Sequence, residues 1–262
     1  MHADFWTLKP FNPIFFLCTL LTALLGFVMI RVNRKKDEAQ RRRAVIRLYA
    51  AALVLFFVYK ISLLFDREYD VILAQAGLVG FNFMDELPLN LCNINLILII
   101  IGLRKRARPI LGFTYFFGTL GALMALVMPS EGFSGYCIFL PRMLGYYLTH
   151  FVIALQLPLL AGLDLYRPKF RDILPAFGTL LLLAACMTGV NHLFRTCGIS
   201  PTSNYFFSYD PSGNPILELF HSWLPYPGLY LLPCTAIVLP YMAAVTAVSR
   251  RLHRRGEKVC AA

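Results

Sequence analysis

Seven apolar runs alternate with short polar segments along the chain. They cover roughly 13–32, 45–65, 87–103, 110–128, 142–165, 173–194 and 226–248. Each is near the ~20 residues an α-helix needs to cross the hydrocarbon layer. The pattern predicts an all-α polytopic membrane protein, a bundle of seven transmembrane helices forming one domain over residues 1–262. The first run is too long for a signal-peptide core and has no basic segment before it, so it reads as a retained span. No internal repeat or inverted pseudo-symmetry is visible, which weakens a secondary-transporter reading.

The third run departs from a lipid-facing pattern. It passes Asp85 and Glu86, then Pro88, and carries Asn90, Cys92, Asn93 and Asn95 before turning fully apolar. Pro88 fits the first turn of a helix starting at Leu87. At about 100° per residue, Glu86, Asn90 and Asn93 share one face, with Cys92 and Asn95 nearly opposite. Neither face suits hydrocarbon, so this helix is expected to be enclosed by others. Polar groups at membrane depth are costly and point to function.

Composition agrees. The chain is 58% hydrophobic with mean hydropathy +0.63, above the roughly 45–50% apolar content of soluble domains. The net charge of +11 would suggest nucleic acid in a soluble protein. Here the basic residues sit in alternate connections: Arg31, Arg34, Lys35, Lys36, Arg41, Arg42, Arg43 and Arg47, then Arg104, Lys105, Arg106 and Arg108, then Arg167, Lys169 and Arg171. Arg250, Arg251, Arg254, Arg255 and Lys258 follow in the tail. With seven spans these fall on one side, which predicts the N-terminus outside and the C-terminus cytoplasmic in a multi-pass plasma-membrane protein. No nucleic-acid partner is expected.

In the fifth run Arg142, Tyr146 and His150 form an i, i+4, i+8 stripe with Thr149 beside it. Cys92 lies about 8 Å in from Leu87 and His150 about 12 Å in from Arg142, at 1.5 Å per residue. A cysteine and a histidine at one depth are the minimum for a thiolate–imidazole pair. From spacing alone the signal is weak, because the chain has seven cysteines and five histidines. Asn191 and His192 close the sixth run at the outer interface, where polar helix ends are ordinary. Lys60 reads either as a snorkelling residue or as a partner of Asp85 or Glu86. Cys137 and Cys197 both fall in outer loops, where a disulfide is an open alternative. Asp164 and Asp172 read as solvated at the inner interface. The absence of CxxC, HExxH, GxSxG and a phosphate loop leaves no metal or cofactor expected. A haem or quinone role would require His150 and His192 at matching depth.

Leu87-Pro88-Leu89-Asn90-Leu91-Cys92-Asn93 resembles the LPLHLC-like element of the YwaF-type family of bacterial integral membrane proteins, which is similar to eukaryotic transmembrane protein 164. Tyr146-Tyr147-Leu148-Thr149-His150 resembles its tyrosine-rich span with a later histidine. Ser203–Pro211 and Trp223–Tyr230 resemble its last outer loop and the entry to its last span. The resemblance covers most of the chain from the second run onward. It departs at Asn90, where the family often has histidine, and at Asp210, where lysine is common.

The resemblance implies a lipid acyltransferase or acyl hydrolase with Cys92 as acyl-accepting nucleophile and His150 as general base. Membrane lipids are then the partners, with a phospholipid or acyl chain as substrate. Asn90, Asn93, Asn95, Arg142, Tyr146, Asn191 and His192 would line the substrate site. The alternative is a solute- or lipid-binding or transport protein with no covalent chemistry, in which Arg142 contacts an anion. A third reading is a scaffold whose asparagines only join helices.

Overall fold

The structure, a computed structural model, describes residues 6–75, 81–130, 132–212 and 214–261, with the backbone alone described over 254–261. His2 and Gly213, and the side chains of Arg254, Arg255 and Lys258, lie outside what is described. The chain starts with a short strand, β1 (Thr7–Leu8). Helix α1 (Pro13–Asn33) follows, opened by Asn12, whose side chain accepts from the Phe15 N–H. Helix α2 (Glu38–Ser62) is capped in the same way by Asp37, which accepts from Gln40 N–H. These are the expected Asx caps for donors that an α-helix leaves unpaired.

Helix α3 (Arg67–Gln75) is short. Helix α4 (Leu91–Lys105) is the centre of the bundle. It packs against α2, against the helix formed by α5 (Arg108–Phe113), a π-turn at Thr114–Gly118 and α6 (Thr119–Val127), and against α7 (Pro141–Ala154). Strand β2 (Tyr136–Cys137), just before α7, pairs antiparallel with β1, with Thr7 opposite Cys137 and Leu8 opposite Tyr136. Helix α8 (Gln156–Gly162) continues α7 after a break at Leu155. Helix α9 (Ile173–Thr196) packs on α5, and after the short helix α10 (Pro215–Trp223) comes α11 (Thr235–Ala261), which packs on α9.

The break between α7 and α8 has an identifiable cause. Pro158 has no N–H, and its ring crowds the carbonyl four residues back, that of Ala154. Thr119 repairs the gap. Its hydroxyl donates to Ala154 O at 3.0 Å and accepts from Leu157 N–H at 3.0 Å. The π-turn and the proline break are thus pinned to each other by one side chain.

Six helical segments among the described residues are long and apolar enough to cross a membrane: Pro13–Asn33, Glu38–Phe65, Arg108–Val127, Pro141–Gly162, Phe170–Thr196 and Leu229–His253. The protein is an all-α, multi-pass membrane protein. The third run behaves differently from expectation. Its helix starts at Leu91 rather than Leu87, and Pro88 lies outside it. With 15 residues it is about 22 Å long, shorter than the ~30 Å hydrocarbon core. Non-helical backbone at membrane depth survives only when protein covers it, and the segment before α4 is tied to its surroundings. Lys60 and Tyr69 both bond Glu86. Ser200 and Thr202 donate to Asp85 at 2.5 and 3.0 Å. Tyr205 O–H donates to Met84 O.

The contact between the starts of α5 and α9 also differs from the sequence reading. Asp172 is buried rather than solvated and takes Arg108 Nε and Nη2 at 3.1 and 2.5 Å. Arg42 Nη1 donates to Leu103 O at 3.1 Å, joining the start of α2 to the end of α4. Cys137 and Cys197 are free thiols, so the loops are not joined by a disulfide.

Candidate functional site

The first turn of α4 meets the middle of α7. His150 is 2% exposed, and its Nε2 lies 3.3 Å from Cys92 Sγ. Its Nδ1 lies 2.7 Å from Tyr146 O. A carbonyl can only accept, so Nδ1 carries the proton and donates. In the neutral ring Nε2 is then a bare lone pair facing the thiol. The helix carbonyl thus selects the tautomer that can take a proton from Cys92. The Tyr146 ring packs on the imidazole with centroids 4.2 Å apart, and on Phe133 at 4.5 Å, which fixes the ring plane.

Cys92 is the second residue of α4, where the helix N-terminus presents unpaired N–H groups and the positive end of its dipole. Asn90 is the N-cap but makes no side-chain capping bond. Asn93 Oδ1 stands 3.7 Å from the Cys92 sulfur as an alternative acceptor for its proton. Cys92 and Asn95 are three residues apart and face the α5–α6 helix through two glycines. A Cβ at Gly121 would touch Cys92, and one at Gly118 would sit 3.3 Å from Asn95 Oδ1. Glycine lets that backbone approach the site closely.

Other predicted residues have different occupations. Asn95 is fully buried, and its Nδ2 donates to Leu91 O at 2.6 Å. Its Oδ1, like Gln156 Oε1, has no partner. Arg142 is 0% exposed and holds Asp66 at 2.6 Å and Glu68 at 2.7 Å, with Gly132 O as a third acceptor. Its charge is neutralised in place, which does not make an open anion site. Asn191 is buried against the 199–210 loop, accepting from Tyr205 N–H and Ser203 Oγ and donating to Tyr205 O and Ser208 Oγ. His192 meets Tyr209 Oη at 3.2 Å on the exposed side of α9. Neither bonds Cys92 or His150.

Residues around the pair were not singled out from sequence as site residues. Tyr59 on α2 packs on α7 at Gly145, and Tyr69 on α3 donates to Glu86, which also takes Lys60, one of the two partners the sequence offered for that lysine. Burial, then the Glu86 charge, push the Tyr69 phenol well above the ordinary tyrosine range, so it stays a donor. The tyrosines carried no sequence signal, because one aromatic in an apolar run looks like any other.

A family model described as the TMEM164 family matches residues 6–246. No curated protein and no solved structure gives a significant match.

Proposed function

The chain belongs to the TMEM164 family, and from that premise we propose that it transfers acyl groups between lipids through a thioester on Cys92. The observation that carries this reading is the 3.3 Å contact between His150 Nε2 and Cys92 Sγ, with Nδ1 committed to Tyr146 O. A positioned base beside a thiol is the arrangement nucleophilic catalysis requires.

His150 Nε2 takes the Cys92 proton. The thiolate attacks the ester carbonyl, and the carbonyl electron pair moves onto oxygen. N–H groups of the first α4 turn, which the helix leaves without partners, take that oxyanion. Collapse expels the alkoxide, which takes the proton from His150. A second lipid alcohol repeats the steps in reverse; water in its place makes the protein an acyl hydrolase. The apolar helices supply the environment for the chain.

The reading places the pair in the outer leaflet of a seven-span plasma-membrane protein with the N-terminus outside. Binding or transport without chemistry has less support, because Arg142, its anion contact, is held by two carboxylates. The test is intact mass of the purified protein after incubation with a set of phospholipids. An acyl adduct that hydroxylamine releases, lost in Cys92→Ala and slowed at least about 10²-fold in His150→Ala, is the expected result. No adduct on the wild type with any of the lipids overturns the proposal.

A further inference from the structure

A tetrahedral intermediate needs a donor for its oxygen, and α2 carries an uncommitted buried phenol packed on α7, the helix that bears His150. Tyr59 is 3% exposed, yet its hydroxyl is one of the buried polar atoms among the described residues with no hydrogen-bond partner. Buried hydroxyls are rarely left so. Its neighbours are all engaged. Tyr69 O–H donates to Glu86 Oε1 at 3.0 Å, and Lys60 Nζ pairs with Glu86 Oε2. Tyr146 O–H donates to Ala125 O at 2.8 Å. Lys60 Nζ sits 4.8 Å from the Tyr59 ring centroid and 5.7 Å from that of Phe133, whose ring stacks on Tyr146 and through it on His150.

The ring is placed by packing. A Cβ at Gly145 would fall 2.2 Å from Tyr59 Cβ and Cγ, so Tyr59 is seated directly on α7, five residues before His150. On its own helix it stacks edge-on against Phe56 at 5.4 Å. The hydroxyl is therefore held at the end of a clamped ring.

We propose that Tyr59 is a catalytic residue whose hydroxyl donates to the carbonyl oxygen of the ester undergoing attack by Cys92. This rests on the acyl-transfer reading. The phenol keeps its proton throughout. As the C–S bond forms and the carbonyl electron pair moves to oxygen, the O–H···O bond shortens and strengthens. It weakens again when the alkoxide leaves with the proton from His150. The Tyr59 hydroxyl thus adds a side-chain donor to the backbone N–H groups of α4.

The experiment compares full-length wild type and Tyr59→Phe in lipid nanodiscs by two rates. One is acyl-adduct formation on Cys92 from phospholipid. The other is alkylation of Cys92 by iodoacetamide across pH, a displacement that creates no oxyanion. The expected result is acylation slowed about 10²–10³-fold, the usual loss of one such donor, with the alkylation rate and its pH profile within about twofold of wild type. Unchanged acylation overturns the assignment, as does a parallel loss of both rates, which would put Tyr59 on the thiol instead. A wild type that forms no adduct removes the acyl-transfer reading and this one together. An active wild type with an equally active Tyr59→Phe removes this one alone.

Discussion

At the residue scale, the geometry of the pair depends on how closely α2 can approach α7. Gly145 sets that distance, because its missing side chain is the space the Tyr59 stem occupies. Alanine would ordinarily gain about 0.5–1 kcal/mol in a helix interior. Here the new methyl would meet Tyr59 Cβ and Cγ at 2.2 Å. Cβ is fixed to the backbone and no rotamer change moves it away, so overpacking of about 1–3 kcal/mol outweighs the helical gain. Gly145→Ala should therefore lower the thermal unfolding midpoint in detergent and reduce thiol–base coupling, read as a slower Cys92 alkylation near neutral pH. A midpoint at or above wild type would show that α2 can move aside.

At the element scale, the 199–210 loop packs against the segment that leads into α4. Asn191 holds it with four bonds of 2.8–2.9 Å, to Ser203, Tyr205 and Ser208. Asp85 and Met84 hold its other side. Asn191→Leu leaves several buried polar groups unpaired, at about 1–3 kcal/mol each. Local opening is then favoured over global unfolding. Limited proteolysis should cut within 199–214 in the variant under conditions where wild type stays whole. Equal resistance of the two would mean the Asp85 contacts suffice.

The same element shows what periodicity could and could not reveal. The enclosure of α4 was legible, because asparagines on both faces exclude lipid. So was a cysteine level with a histidine. The start of the helix was not legible. Counting from Leu87 gave a matching depth, whereas Cys92 is the second residue of α4 and His150 the tenth of α7. The levels coincide because the non-helical segment before Leu91 brings the chain inward first. That descent is fixed by Glu86, Asp85 and Met84 meeting Lys60, Ser200 and Tyr205, contacts between distant parts of the chain that no local pattern encodes. The ion partners of Arg142 were hidden for the same reason. Its stripe with His150 was visible, but Asp66 and Glu68 lie 76 and 74 residues away.

At the scale of the whole molecule, orientation turns on whether α4 joins two faces or returns to one. The contacts at its ends bear on the proposed count. The Lys60–Glu86 pair ties the chain just before α4 to the end of α2, and the Arg42–Leu103 bond ties the end of α4 to the start of α2. Helix α2, with 25 residues, is about 37 Å long, and α4 with the segment before it runs antiparallel along it. This supports counting α4 as a seventh crossing despite its length. On the proposed count of seven, the basic connections and tail fall on one side and Cys197 on the other. Cys197, exposed at the end of α9, should react with a membrane-impermeant maleimide on intact cells, and the label should vanish in Cys197→Ser. Labelling only after permeabilisation would reverse the bundle, placing Cys92 and His150 in the cytoplasmic leaflet. The acyl donor would then be drawn from that leaflet, so the sidedness of one surface thiol decides which lipid pool the pair can reach.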